Sequence, residues 1–195
     1  RERHIQTCRE LLPAERQGPV LEGIQALIGD FERITGGIAL LGEWPPRSVD
    51  EALSIGERLS ALLMAQCLES RGVRAEAVNA AELIVTDAVF GNATPLMEPT
   101  RVKSRARLLG LLSEGVLPVV TGFNGATADG RPTTLGRGGS DFSASILAAA
   151  LDAAELWIWT DVDGIMTADP RLVPDAAVLV EVTYSEAAEL AYNGA

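Results

Sequence analysis

Residues 134–141 read Thr-Leu-Gly-Arg-Gly-Gly-Ser-Asp, and the fold assignment starts from this run. Its three glycines allow backbone conformations that are closed to other residues, and they let the main chain approach a ligand closely. An Ala-rich apolar segment, 142–154, follows directly with the spacing of a helix. Because the N-terminus of a helix presents unpaired N–H groups and a partial positive charge, the run predicts an anion-binding loop that opens a helix.

Apolar strand patterns and helix patterns alternate on both sides of this loop. We expect strands at 73–78, 83–86, 117–121 and 156–160, and helices at 1–12, 20–34, 99–115, 142–154 and 185–192. A further helix should begin with Ser48 as N-cap and end near Gly72, while Gly36 and Gly37 should interrupt the helix before it. The strand at 156–160 shows no polar alternation, so both of its faces should be buried.

This alternation predicts an α/β fold with a mostly parallel sheet. In such sheets ligands bind in the loops at the carboxyl ends of strands. Two loops qualify, the one after 117–121, which contains the glycine run, and the one after 156–160.

The polar residues of the glycine run indicate a carboxylate or a phosphate as the ligand. Arg137 can hold either group with two parallel hydrogen bonds. Asp141 has two interpretations: it caps the helix, or it positions a lysine or a metal-bound phosphate. The spacing differs from a Rossmann fingerprint, which needs glycine where Asp141 stands, and from a Walker A loop, which needs Gly-Lys-Ser/Thr.

Two other segments are candidates for ligand contacts. In the loop after 156–160, Thr160 and Asp161 could hydrogen-bond a nucleotide and Arg171 could reach a phosphate, although the same residues suit an ordinary turn. Glu57 suits a substrate ammonium group, but taken alone its chemistry favours an ordinary surface position. Gly56 beside it weakens a helix by about 1 kcal/mol relative to Ala, which suggests that another segment approaches there.

Composition excludes several classes of function. The net charge of −11 disfavours nucleic-acid binding, and no apolar run approaches the roughly 20 residues of a membrane span. Two cysteines fit a reducing cytoplasm better than a disulfide framework. A single histidine argues against a zinc site or a histidine-activated nucleophile, and no metal-ligating side chains are predicted.

Three segments in this order resemble the aspartate kinases of the amino acid kinase superfamily: residues 56–60, residues 134–141 and residues 157–171. The end of the chain, 186–195, is also similar, and the close resemblance starts near residue 50. It implies a three-layer αβα sandwich with a mostly parallel central sheet. The chain would then be a partial catalytic domain, with 1–47 as its helical N-terminal part and 48–195 as its substrate- and nucleotide-binding part.

The resemblance implies transfer of the γ-phosphate of ATP, with Mg²⁺, to the side-chain carboxylate of L-aspartate. That reaction opens lysine, threonine and methionine biosynthesis in the cytoplasm, and the family commonly forms dimers. Glu57 would hold the substrate amino group, Arg137 would hold the α-carboxylate with Gly138 and Ser140 nearby, and Asp141 would orient the catalytic lysines. The implied nucleotide-binding residues are Thr160, Asp161, Met166 and Arg171, with Met166 at a position that is aromatic in many relatives.

The lysine content departs from the family. Relatives carry one catalytic lysine in an N-terminal Lys-Gly-Gly strand and a second after a Gly-Ala pair, whereas the only lysine here is Lys103. Regulatory ACT domains are also missing, so we expect a fragment that is inactive alone. The alternatives are another superfamily member, such as a glutamate or uridylate kinase, or a lysine-free binding module. Residues 56–60 argue against a uridylate kinase, because its substrate has no ammonium group.

Overall fold

Three helices open the chain and pack on one another. A computed structural model describes residues 1–159 and 164–192, in two compact units, 1–156 and 157–195, which are taken separately below. The helices are α1 (Glu2–Leu11), α2 (Ala14–Leu41) and α3 (Pro46–Ser70). Their apolar stripes form one core cluster, made by Cys8, Leu12, Val20, Ile24, Ile55, Leu59, Leu63 and Cys67.

Three expected helix boundaries in this region are wrong, and the first is the start of α2, which lies at Ala14 rather than at residue 20. Helix α2 runs through Gly36 and Gly37 and ends at Leu41. Its C-cap is Gly42, which has φ 67° and donates its N–H to Ile38 O. Ile38, which lies beyond the glycine pair, is buried, so this part of α2 still removes an apolar side chain from water. Ser48 is not an N-cap, because α3 already begins at Pro46, and proline is well suited to a first helical position.

The strands of the first unit form two small sheets. Strand β1 (Ala75–Val78) pairs in parallel with β3 (Leu117–Val120). Strand β2 (Val85–Thr86) pairs in parallel with β4 (Asn124–Thr127), which pairs antiparallel with β5 (Pro132–Thr134). Two of these three pairings are parallel, and the α/β class predicted from the sequence is confirmed.

The sequence pattern does not predict the hairpin of β4 and β5, because its residues fall within the loop expected after 117–121. Asn, Gly and Pro disfavour strands, but every residue of β4 is buried and its backbone is paired on both sides. The pairing therefore overrides local preference. It brings the end of β5 directly to the start of the glycine run at Thr134.

Helices that follow the strands cover these sheets. Helix α4 (Met97–Ser104) continues through one π-helical turn (Arg105–Leu109) into α5 (Gly110–Ser113), and α6 (Gly139–Leu151) follows the glycine run. A second core cluster lies here, made by Val78, Ala80, Leu83, Ile84, Leu108, Leu111, Leu135 and Ile146. The predicted helices at 99–115 and 142–154 are thus present with shifted ends.

The strand expected at 156–160 is not formed by its described residues. Leu156, Trp157, Ile158 and Trp159 have no regular structure, and 43–86% of each is exposed. A strand needs a neighbour to accept its backbone hydrogen bonds, and no described strand pairs with this run. The expected burial of both faces is therefore wrong for residues 156–159.

The second unit contains helix α7 (Tyr184–Tyr192), close to the predicted 185–192. Ahead of it, Met166 and Val178 form an antiparallel bridge, and Thr167 N–H donates to Ala177 O over 2.9 Å. Across the described residues of both units, no helix combines the length and the apolar character that crossing a membrane requires.

Candidate functional site

The glycine run is shaped by close contacts that only glycine tolerates. Gly136 has φ 79°, and a Cβ there would lie 2.4 Å from Asn92 Oδ1. A Cβ on Gly139 would lie 2.8 Å from the Phe123 ring. The run is anchored at its start, where Leu135 N–H donates to Phe123 O over 2.9 Å. The glycines therefore allow the backbone to form a compact turn between β5 and α6.

The run ends in the N-terminus of α6, as predicted. Gly138, with φ 73°, is the N-cap and supplies no side chain to the helix end. Among the described residues, the N–H groups of Ser140 and Asp141 have no backbone acceptor, whereas Gly139 N–H donates to Gly136 O over 3.1 Å. Unpaired N–H groups at a helix start attract anions. This end of α6 can thus cradle a carboxylate or a phosphate.

Arg137 and Asp141 are both exposed beside this cradle. Within residues 1–159 and 164–192, no side chain pairs with the Arg137 guanidinium. Asp141 lies in the first turn of α6 but does not cap it, so the capping interpretation is wrong. A carboxylate there still interacts favourably with the positive end of the helix.

Glu57 and Ser140, which are far apart in the sequence, meet at Gly122. The Gly122 N–H donates to Glu57 Oε2 over 3.2 Å. A Cβ on Gly122 would lie 2.9 Å from Ser140 Oγ and 3.2 Å from Glu57 Oε2. Glu57 is half-buried, so the interpretation as a plain surface residue is wrong. Two residues predicted to bind substrate therefore flank one glycine that follows β3.

A second contact holds this glycine segment against α6. Phe123 has φ 67°, which is uncommon for a residue with a side chain. Its N–H donates to Ser143 Oγ over 3.2 Å, and the Ser143 hydroxyl donates to Ser140 O over 2.7 Å. The backbone after β3 and the first turn of α6 are thereby fixed together.

Gly56 does not have the role expected for it. No atom lies within 4 Å of the position that its Cβ would occupy, and the residue is exposed. The close approach that a missing side chain permits occurs at Gly122, Gly136 and Gly139 instead.

Asp50 is a buried carboxylate that sequence reasoning missed. It is 1% exposed and accepts hydrogen bonds from Gly91 N–H, Thr134 N–H and the Thr134 hydroxyl. Asp50, Ser54 and Glu57 follow the i, i+4, i+7 spacing of one helix face. That polar spacing beside the apolar stripe of the same helix is the signal that could have revealed it.

A cavity of about 290 Å³ opens at the carboxyl ends of β1 and β3. Its polar lining comes from Arg58, Asn79, Glu82 and Thr121. Arg58 and Thr121 are the chain neighbours of Glu57 and Gly122, so the cavity lies beside their contact. There is room here for part of a small ligand, at the sheet edge where α/β proteins bind theirs.

Two of the four predicted nucleotide-binding residues are described by the structure. Thr160 and Asp161 lie outside the described residues. Met166 and Arg171 are in the second unit, where Met166 is half-buried and Arg171 is paired with Asp169, Nη2 to Oδ2 at 2.7 Å. This hydrogen bond lowers the pKa of the Asp169 carboxyl, so Asp169 stays charged and partly neutralises Arg171.

The amino acid kinase family matches the whole chain, residues 1–195. Lysine-sensitive aspartokinase 3 of Escherichia coli K12 is 40% identical over 171 residues, which cover 85% of this chain and 38% of that protein. Aspartokinase 1 of Bacillus subtilis is 45% identical over 152 residues, which cover 77% of this chain and 36% of that protein. The chain thus spans less than two fifths of the length of each of these two relatives.

A solved structure is also similar in fold. The crystal structure of E. coli aspartokinase III in complex with aspartate and ADP superimposes with a TM-score of 0.85 at 39% identity. The match covers 90% of this chain and 39% of that chain. The same enzyme in complex with lysine and aspartate gives a TM-score of 0.80.

Proposed function

This chain belongs to the amino acid kinase family, and we propose that it carries the aspartate-binding part of an aspartate kinase. The complete reaction would transfer the γ-phosphate of ATP to the side-chain carboxylate of L-aspartate. The observation that carries this proposal is the meeting of Glu57 and Ser140 at Gly122, with Arg137 exposed at the start of α6. A relative at 39% identity was crystallised with aspartate and ADP.

The arrangement suits an amino acid ligand because it offers opposite charges to its two ends. Glu57 uses Oε2 for Gly122 N–H, and its second oxygen can accept from an ammonium group. Arg137 can grip the α-carboxylate with two parallel hydrogen bonds. Ser140 and the N–H groups that follow Gly138 add neutral donors beside that carboxylate. The side-chain carboxylate of the ligand would remain free to react.

Phosphoryl transfer depends on positioning and on neutralising the charge of the transferring group. In this scheme the carboxylate oxygen of aspartate attacks the γ-phosphorus, and ADP leaves with the electron pair of the broken P–O bond. Asp141 would orient a lysine toward this charge. Lys103, the only lysine of the chain, is exposed on α4, so we expect no turnover from the chain alone.

We place nucleotide binding on Thr160, Asp161, Met166 and Arg171. The exposed guanidinium of Arg171 supports this, since it could leave Asp169 for a phosphate. Mg²⁺ would enter with ATP, because it binds mainly through phosphates and water with one or two carboxylates. When bound, it would neutralise charge on the phosphates.

The wider setting follows from the same proposal. We assign the protein to the cytoplasm and to the first step of lysine, threonine and methionine biosynthesis, and we expect a homodimer. Acidic composition and a reduced cysteine pair agree with a cytoplasmic enzyme.

The test is binding of L-aspartate and of ATP to the chain by calorimetry, with Arg137→Ala as the variant. Loss of a charge-assisted pair, about 1.5–3 kcal/mol, weakens binding roughly 10- to 150-fold. We expect this loss for aspartate and little change for ATP. The control is Arg33→Ala, which removes an exposed arginine that pairs with Asp30 on α2. Equal losses for both ligands, or no loss for aspartate, would contradict the assignment of Arg137.

A further inference from the structure

Asp50 makes a complete set of hydrogen bonds inside the protein. Its Oδ2 accepts from Gly91 N–H over 2.8 Å and from Thr134 N–H over 3.0 Å. Its Oδ1 accepts from the Thr134 hydroxyl over 2.8 Å. A carboxylate that is 1% exposed is retained in a fold only when such donors replace water. Its donors come from two other parts of the chain, so Asp50 joins three segments.

These three segments meet where the glycine run begins. Thr134 is the last residue of β5 and the first of the run. Its carbonyl accepts from Ala93 N–H over 2.9 Å, and Asn92 lies against Gly136. Asp50 therefore attaches α3 both to the glycine run and to residues 91–93, which contact that run.

The same helix carries Glu57 seven residues later. Seven residues are close to two turns, so both carboxylates lie on one face of α3, about 10 Å apart along its axis. Glu57 contacts Gly122, whereas Asp50 contacts the start of the run that leads to Arg137 and Ser140. The position of Glu57 relative to Arg137 is thus defined through α3 and its attachment at Asp50.

We propose that Asp50 is a positioning residue, which holds Glu57 at the distance from Arg137 that one amino acid ligand can bridge. The identity of the ligand rests on the proposed function, but the attachment itself does not. Asp50 touches no ligand in this scheme, since its oxygens are occupied by Gly91 and Thr134. It acts through the placement of α3.

The chain offers matched variants for a test. Asp50→Ala removes all three hydrogen bonds. Asp50→Asn keeps them, because the amide oxygen accepts from both N–H groups while the amide NH₂ donates to Thr134 Oγ1. Ser54→Ala is the control, since Ser54 is buried on the same face but bonds only to Glu51 O in its own helix. Thr134→Val removes one of the three hydrogen bonds, and it takes the place of Asp50→Ala in the test if Asp50→Ala does not fold.

The first measurement is amide hydrogen exchange by NMR on the 195-residue chain, and it needs no ligand. We expect Asp50→Ala to lose at least tenfold protection at Gly91 and Thr134. The decisive amide is Gly122, which Asp50 does not touch and which donates to Glu57. We expect it to lose several-fold protection in Asp50→Ala, less in Thr134→Val, and none in Asp50→Asn or Ser54→Ala. Unchanged Gly122 protection in both Asp50→Ala and Thr134→Val overturns the proposal.

The second measurement is ligand affinity. We expect L-aspartate to bind at least tenfold more weakly to Asp50→Ala, with recovery in Asp50→Asn and no change for ATP. A parallel loss for ATP would mean general unfolding and overturn the positioning role. If the unaltered chain does not bind aspartate, the proposed function fails, while the exchange at Gly122 still decides the role of Asp50.

Discussion

Replacing Gly122 with alanine puts a methyl group at the point where Glu57 and Ser140 meet. The new carbon would lie 2.9 Å from Ser140 Oγ, 3.0 Å from Ser140 Cβ and 3.2 Å from Glu57 Oε2. The Ser140 hydroxyl can rotate away, but Ser140 Cβ is fixed to the backbone of α6. Either the helix start or the Glu57 carboxylate must therefore move. Gly122 is not among the positive-φ glycines, so alanine adds no backbone strain of its own.

The size of the effect follows from these contacts. Overpacking costs about 1–3 kcal/mol in a closed core, and we expect the lower end here because Ser140 is exposed. Binding should suffer more than stability. Displacing Glu57 from a ligand ammonium removes a charge-assisted hydrogen bond of about 1.5–3 kcal/mol, so L-aspartate should bind roughly 10- to 150-fold more weakly.

The assay is calorimetric titration with L-aspartate, together with urea unfolding of the same samples. Gly56→Ala is the matched control, because it adds the same methyl group next to Glu57 but into open space. That variant should keep its affinity and gain up to about 1 kcal/mol of helix stability. Unchanged aspartate binding by Gly122→Ala would refute the view that Glu57 and Ser140 form the ligand site at Gly122.

Two further predictions concern the scaffold. Thr100 is fully buried, and its hydroxyl accepts from Val85 N–H over 2.9 Å, so Thr100→Val should lower the free energy of unfolding by about 1–3 kcal/mol. The assay is urea unfolding, and the control is Thr35→Val, because the Thr35 hydroxyl bonds within its own helix. A change no larger than that of the control would contradict the prediction. Hydrogen bonds from Arg101 lower the pKa of the Asp152 carboxyl, and the charges of Arg101 and Arg105 lower it further. The charged carboxylate therefore stabilises the protein near neutral pH. This contribution is lost as the pH falls below about 4 and passes through the lowered pKa. Asp152→Asn, which tolerates the φ of 53° at this position, should therefore destabilise the protein at about pH 7 but not at about pH 2; an equal loss at both pH values would show that the charge is not responsible.

The candidate site could be predicted from the sequence only in part. The anion cradle followed from residues 134–141, because glycine conformation and the start of α6 are local properties. The expectation that Glu57 and Ser140 serve one substrate rests on resemblance to a family, since the chemistry of Glu57 alone favours a surface residue. The comparisons bear out that family.

Other features could not be predicted because they depend on distant neighbours. Strand β4 forms despite weak strand residues, since its backbone pairs with β2 and β5. Residues 156–159 favour a strand by type, but no described strand pairs with their backbone, and their side chains are exposed. The hydrogen bonds of Asp50 could not be predicted from the sequence, because its three donors lie 41 and 84 residues away.

The sequence by itself therefore determined the α/β class, most helices, and a glycine turn that opens a helix. These follow from preferences that each residue expresses through its immediate neighbours. Only the tertiary structure decided that Gly122, rather than Gly56, is the point of close approach, and that Asp50 and Glu57 attach α3 to the site. Proximity and burial arise from segments that meet across the fold, so local pattern cannot specify them.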